Sequence, residues 1–354
     1  MSETWAVIID ELRVPIVLAP MAGGPSTPEL TAAVAEAGGL GVLAAGYLSA
    51  ADTADRIAAT RALTDAPLGV NLFAPGPPTP PAEYADYLAE LGAGHQLGAT
   101  KHDTDDWDAK LDLLVETPVA VVTCTFGCPT AAEVNRLHAV GSEVWVTVTS
   151  VAEAEIAAAA GADVLITQGA EAGGHRATFV DRVADDAADP LGLLALLQLL
   201  TAAVNLPIVA TGGIATGAGI AAALAAGASA AQLGTAFLRC PEAGTNPVHR
   251  AALPSTAPTM LTRAFTGRRA RGLRNEFMAE HSATAPAAYP EIHYATGPLR
   301  AAARAAGNPE EVNLWAGQTQ ALTPELPARE LVAELAAATK TALESALSRR
   351  IQDC

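Results

Sequence analysis

Histidine exchanges a proton near neutral pH without help from a neighbour, so the settings of the seven histidines come first. His175 stands apart from the others. It closes the run ITQGAEAGGHR directly after Gly173 and Gly174, where a sharp turn delivers it to a loop, and it is the candidate general base. His95, His102, His138, His249, His281 and His293 have no comparable setting and read as surface or structural. Two glycine-rich runs suit a different chemistry. PIVATGGIATG carries Gly212 and Gly213 ahead of a helix starting near Thr216, and AAQLGTAFL carries Gly234 and Thr235. Glycine lets the main chain approach a ligand closely, and N–H groups at a helix start hold a phosphate. The pair predicts a phosphorylated cofactor or substrate. Asn71 in GVNLF offers an amide to a flat heterocycle, Met21 in LAPMAGG an adaptable thioether, and Gln168 a second amide just before the histidine turn.

The other reactive types carry less. Cys124, Cys128, Cys240 and Cys354 lack the paired spacing of a zinc site, so no metal is expected. Cys124 and Cys128, in TCTFGCP, have no histidine in the motif to activate them and read as buried or ligand-lining thiols. The basic island FTGRRARGLRNEF, with Arg268, Arg269, Arg271 and Arg274, reads as a solvated helical face or as ion pairs with the acidic body, outside the catalytic set.

Residues so far apart in sequence need a scaffold that gathers strand ends. Short β-rich runs alternate with alanine-rich helical stretches: 15–21, 41–45, 67–73, 119–126, 143–150, 163–167, 207–212 and 230–238 read as strands. Eight apolar strands within the first 240 or so residues match a parallel (β/α)8 barrel. The rival doubly wound sheet lacks its G-x-G-x-x-G turn after Met21. In a barrel of this kind the chemistry sits at the C-terminal ends of the strands, where all the residues singled out above fall. The rhythm breaks twice. APGPPTPP, residues 74–81, reads as an extended connection over the barrel mouth, and 241–324 as a small, mostly helical inserted cap. The expected division is therefore a barrel over 1–240, the cap over 241–324, and a closing helix within 325–354 whose apolar spacing is clearest from Glu330 to Leu347.

Composition bounds the partners. Among 354 residues, 21 basic and 38 acidic side chains leave a net charge of −17, which argues against nucleic acid or an anionic membrane surface. Half the residues are apolar and 17% charged, enough for a sizeable core. No run reads as a signal peptide or a membrane span, so a cytoplasmic protein acting on a small molecule is expected. With only 4% aromatic residues, ring binding is expected to rest on main chain, amides and Met21 rather than on stacking. A homo-oligomer paired through the exposed cap is compatible with this reading.

The ordered set APMAGGPSTPELTAAVAEAGGLGVL, GVNLF, ITQGAEAGGHR, ATGGIATGAGIAAALAAGASAAQLGTAFL and FTGRRARGLRNEF, with LWAGQ around Trp315 as a weaker echo, resembles the nitronate monooxygenases, formerly called 2-nitropropane dioxygenases. The resemblance implies an FMN-dependent barrel that oxidises alkyl nitronates with O2 to a carbonyl compound and nitrite through a flavin semiquinone. It implies Met21, Ala22 and Gly173 along the flavin, Asn71 and Gln168 hydrogen-bonded to its ring, and Gly212, Gly213, Gln232, Gly234 and Thr235 around its phosphate. His175 matches the family's base. Two alternatives remain on the same scaffold: an FMN-dependent NAD(P)H reductase of enoyl-acyl-carrier or quinone substrates, and a flavin- or phosphate-binding protein without turnover.

Overall fold

Strands form in all eight of the expected places. The computed structural model describes residues 7–187 and 190–349, so Cys354 and the outer ends of the expected barrel and closing-helix ranges lie outside it. The barrel strands are β1 (Ile16–Leu18), β2 (Gly41–Ala44), β3 (Leu68–Phe73), β4 (Val121–Thr125), β5 (Glu143–Val148), β6 (Val164–Gln168), β8 (Ile208–Thr211) and β9 (Ala230–Leu233). A two-residue strand, β7 (Gly174–His175), belongs to a different sheet. The large sheet is parallel throughout in the order β1-β9-β8-β6-β5-β4-β3-β2, and a Val17 to Leu40 bridge joins its two edges. The chain therefore folds as a (β/α)8 barrel.

Helix starts follow from sequence chemistry. Thr27, Ser49, Thr130, Ser150 and Thr216 each precede a barrel helix, and each side chain accepts from a main-chain N–H in the first turn. The helix Ala328–Ser348 contains the expected closing segment and packs against Gly217–Ala225 and Pro28–Glu36, completing the outer ring.

The two-residue period of a strand divides the barrel interior into a floor and a mouth. Inward positions near the N-terminal ends are apolar: Val17, Val42, Val121, Trp145, Val164, Ile166, Val209 and Ala230 cluster with Ile8 and Ile9 of the helix Ile8–Glu11, which plugs the bottom. Each of these aliphatic residues contributes roughly 1.5–3 kcal/mol by leaving water. The next inward positions turn polar: Asn71, Thr125, Thr147, Gln168, Thr211 and Gln232. A filled floor under a polar rim is a binding site before any ligand is considered.

The cap is more mixed than its expected helical character. β10 (Thr259–Thr262), β11 (Ala270–Leu273) and β7 form a three-stranded antiparallel sheet, joined by helices Glu276–His281, Glu291–Ala295 and Gly297–Ala306. The basic island thus forms a strand in its centre rather than a helical face. Alternation rather than helical spacing governs it, because β11 pairs on both edges. The cap's apolar core, around Phe265, Phe277, Met278 and Ile292, also takes Tyr84, Tyr87 and Leu91 from the segment between β3 and β4. The proline-rich 74–80 crosses without regular structure, and Thr79 N–H donates to Glu291 Oε1 at 3.0 Å.

Candidate active site

Met21, Ala22, Asn71, Gln168, Gly173, His175, Gly212, Gly213, Gln232, Gly234 and Thr235 all line one cavity of about 880 Å³ at the barrel mouth. That size takes a cofactor with a small substrate. Among the described residues no Asp, Glu or Lys lines it, although the chain as a whole carries −17.

One end is built from main chain. After β8 the chain turns through Gly212 and Gly213 at φ +120° and +67°, and after β9 it enters the short turn Thr235–Phe237. The N–H groups of Gly212, Gly213, Gly234 and Thr235 have no main-chain acceptor among the described residues. A Cβ on Gly213 would lie 2.9 Å from Glu171 Cβ, on a backbone that side chains rarely adopt. Gln232 Nε2 and Thr245 Oγ1, buried in the same wall, have no partner either. Orphaned donors cost about 1–3 kcal/mol each unless something accepts from them, so this wall is shaped for an oxygen-rich ligand. The residues present suit a phosphate and the polar edge of a heterocycle.

The middle amides are partly committed. Asn71 Nδ2 donates to Thr123 Oγ1 at 2.8 Å and to Thr125 Oγ1 at 2.9 Å, which leaves Oδ1 as the acceptor. Gln168 donates from Nε2 to the His175 carbonyl at 3.0 Å and accepts the Ala177 N–H at 2.9 Å. The amide expected to meet a flavin therefore holds the histidine strand in place. Gly173 has a similar double duty. A Cβ there would sit 2.5 Å from Gly317 N, so the glycine is required for the close passage of 316–317.

His175 is not on a free loop. β7 pairs with β11, and the imidazole stands among Phe126, Tyr289 and Trp315, with ring centres 5.6–5.8 Å away. Nε2 lies 2.9 Å from Thr266 Oγ1, whose hydroxyl also reaches the Arg268 carbonyl. Burial, reinforced by Arg268 and Arg300, pulls its pKa down to about 3. The ring is neutral throughout the physiological range.

Several functional residues escaped the sequence reading. His249 and His293, read as surface or structural, line the cavity, and burial lowers both. Tyr47, Phe73, Phe126 and Trp315 line it too, so the few aromatic residues concentrate where stacking was not expected. Tyr47 stacks on His293 at 4.2 Å and holds φ +68°, with its N–H on Asp105 Oδ1 at 2.7 Å and Asp105 paired to buried Lys110 at 2.8 Å. Its position immediately beyond β2 was the available signal. Arg300 and Arg304 line the cavity from the helix Gly297–Ala306. Of the basic island, Arg268 is buried over the Phe126 ring at 4.1 Å, Arg271 donates to the Ala170 carbonyl, and Arg269 pairs with Asp186. Cys124 and Cys128 stay off the cavity wall, and burial raises both thiols, Cys128 to about 11. Among the described residues no cluster of His, Cys, Asp or Glu is arranged to hold a metal, and no helix is long and apolar enough to cross a membrane.

Similarity to known proteins follows the same outline. The family model described as nitronate monooxygenase matches residues 7–338. The nitronate monooxygenase of Pseudomonas aeruginosa is 44% identical over 341 residues, covering 92% of this chain and 95% of that protein. The crystal structure of a nitroalkane oxidase from Streptomyces ansochromogenes superposes with a TM-score of 0.94 at 48% identity, over 97% of this chain and 100% of that one. FabK from Thermotoga maritima shares the fold at 28% identity and a TM-score of 0.75, over 98% and 100% of the two chains. The match runs through the barrel, the cap and the closing helix alike, and the chain belongs to the nitronate monooxygenase family.

Proposed function

We propose that this protein is an FMN-dependent enzyme that oxidises alkyl nitronates with O2, breaking the carbon–nitrogen bond to give a carbonyl compound and nitrite. The observation that carries the reading is a single carboxylate-free cavity joining four unpaired main-chain N–H groups at one end to a neutral, boxed histidine at the other. The N–H groups of Gly212, Gly213, Gly234 and Thr235 would hold the phosphate, Gln232 would donate from its unpaired amide, Asn71 would accept through Oδ1, and Met21 and Ala22 would pack against the ring. When bound, the flavin supplies the electron-accepting chemistry.

His175 then has two tasks. A nitronate is already an anion and needs no base; the neutral imidazole orients it and excludes water with its aromatic neighbours. A neutral nitroalkane must first lose its α-proton, which His175 accepts at Nδ1, the ring nitrogen without a protein partner among the described residues. A pKa near 3 makes this imidazole a weak base until a developing anion beside it raises its proton affinity. The site is therefore better matched to nitronates than to nitroalkanes. The division into barrel (1–240 with 325–354) and cap (241–324) belongs to the same reading, the cap supplying the substrate side.

The purified protein tests this directly. It should show flavin absorbance and take up O2 with propionate 3-nitronate or ethylnitronate. Anaerobic bleaching by NADH without nitronate-dependent O2 uptake would move it to the reductases. A colourless protein that FMN cannot reconstitute would exclude both.

A further inference from the structure

The buried arginines of this chain are almost all accounted for. Arg263 pairs with Asp181 and Asp186, Arg176 donates to the carbonyls of Gly169 and Gln168, and Arg268 and Arg271 donate to carbonyls of the loop between β6 and β7 and its continuation. Arg300 differs. It is 7% exposed, lines the cavity, and has no carboxylate partner among the described residues. Its Nε donates to Thr296 Oγ1 at 3.3 Å, and Nη2 reaches both the His293 carbonyl at 2.6 Å and His293 Nδ1 at 3.4 Å, which commits one edge of the guanidinium and leaves Nη1 unpaired among the described residues. Arg304 stands one turn further along the same helix face, with no hydrogen-bond acceptor of its own among the described residues. Burying a guanidinium without a counter-charge is costly; burial pulls the Arg300 pKa down to about 10, and the neighbouring Arg304 charge adds to the effect. The groups facing it are Tyr47, Tyr289, His293 and, across the cavity, His175, none of them anionic near neutral pH. The nearest acid behind Tyr47, Asp105, is committed to Lys110.

We propose that Arg300, supported by Arg304, binds the anionic oxygens of the substrate beside His175 and sets the preference for charged over neutral substrates. This rests on the nitronate reading above. A guanidinium gives charge-assisted hydrogen bonds to the oxygens of a nitronate group, and Nη1, with two N–H donors, is the part not used by the protein. Arg300 is a binding residue, and proton transfer stays with His175.

The experiment compares wild type, Arg300→Gln, Arg300→Lys and Arg304→Gln as FMN-loaded proteins. With ethylnitronate, Arg300→Gln should lose about 30- to 100-fold in kcat/KM, mostly through KM, the range of one charge-assisted contact. With neutral nitroethane KM should change by less than about threefold and the loss should fall on kcat, because the charge that Arg300 meets develops only as the proton leaves. Arg300→Lys should recover ethylnitronate to within about tenfold of wild type, and Arg304→Gln should cost about three- to fivefold. Nitrate, a planar redox-inert anion, should inhibit the wild type competitively and perturb its flavin absorbance, and should do neither in Arg300→Gln. An equal rise in KM for both substrates, or nitrate binding unchanged in Arg300→Gln, overturns the proposal. If Arg300→Gln does not fold, nitrate affinity in Arg300→Lys and Arg304→Gln decides: no change in either overturns it. A wild type that binds FMN and nitrate through Arg300 but does not oxidise nitronates upholds the anion site and sinks the proposed reaction.

Discussion

At the β8 and β9 end of the cavity the ligand-facing groups are main-chain N–H donors on glycine turns; at the cap end they are histidine, arginine and aromatic rings held by a separate sheet and helix pair. The first end gains its positive potential from peptide dipoles, and at Gly213 it has no room for a Cβ. The second gains it from Arg300 and Arg304 and from the absence of any lining carboxylate. The difference separates two jobs. Main chain fixed in a barrel is rigid and suits a group every substrate shares, whereas side chains on a cap can be changed one at a time and suit the substrate. A net charge of −17 over the whole molecule says nothing about either end.

The largest effect that should separate the two ends is at His175. His175→Asn is expected to lower nitroethane turnover by about 10²-fold or more while changing FMN affinity less than twofold, measured by O2 uptake and by fluorescence titration of the apoprotein. A comparable loss of FMN would join the two ends into one. Next comes Gly213→Val, which places a branched side chain against Glu171 on a left-handed backbone. FMN affinity should fall about 100-fold, and activity at saturating FMN should largely return.

A smaller effect sharpens the cofactor end. Gln232→Leu removes a buried unpaired amide, so the apoprotein should melt about 2–4 °C higher while FMN binds about tenfold more weakly. A change of the same sign in both would show that the amide has no ligand to serve. The smallest effect concerns the neutral histidines. His175 and His249 are lowered to about 3 and about 4, and His293 well below its ordinary value, so the unfolded chain binds more protons than the native one below pH 6.5. Stability is full above that pH and is lost as pH falls from 6.5 towards 4. His293→Phe should flatten the fall in melting temperature over this window by about 2–4 °C relative to wild type. An unchanged slope would place His293 in water.

Legibility in the sequence followed the same division. The eight strands, their order and the glycine turns could be read because strand periodicity and glycine punctuation are local signals. Gly212, Gly213, Gly234 and Thr235 needed only their position after apolar runs. His175 was found by its Gly-Gly turn, but its setting was not: pairing with β11 and packing on Phe126, Tyr289 and Trp315 come from residues up to 140 positions away. Of the two readings of the basic island, the ion pairs with the acidic body hold for Arg269 and the solvated helical face does not, because four arginines in seven residues look solvated until one knows that Asp181, Asp186 and main-chain carbonyls meet Arg268, Arg269 and Arg271.

The sequence by itself determined a barrel, the glycine turns at its strand ends and a candidate base, because each is written in contiguous residues whose spacing matches one strand or one turn. Only the tertiary structure decided which side chains share the mouth. Arg300, His293, Tyr47 and Trp315 carry no common motif. They meet because the cap folds back over the strand ends, and in that enclosed, carboxylate-free space burial changes what each of them can do.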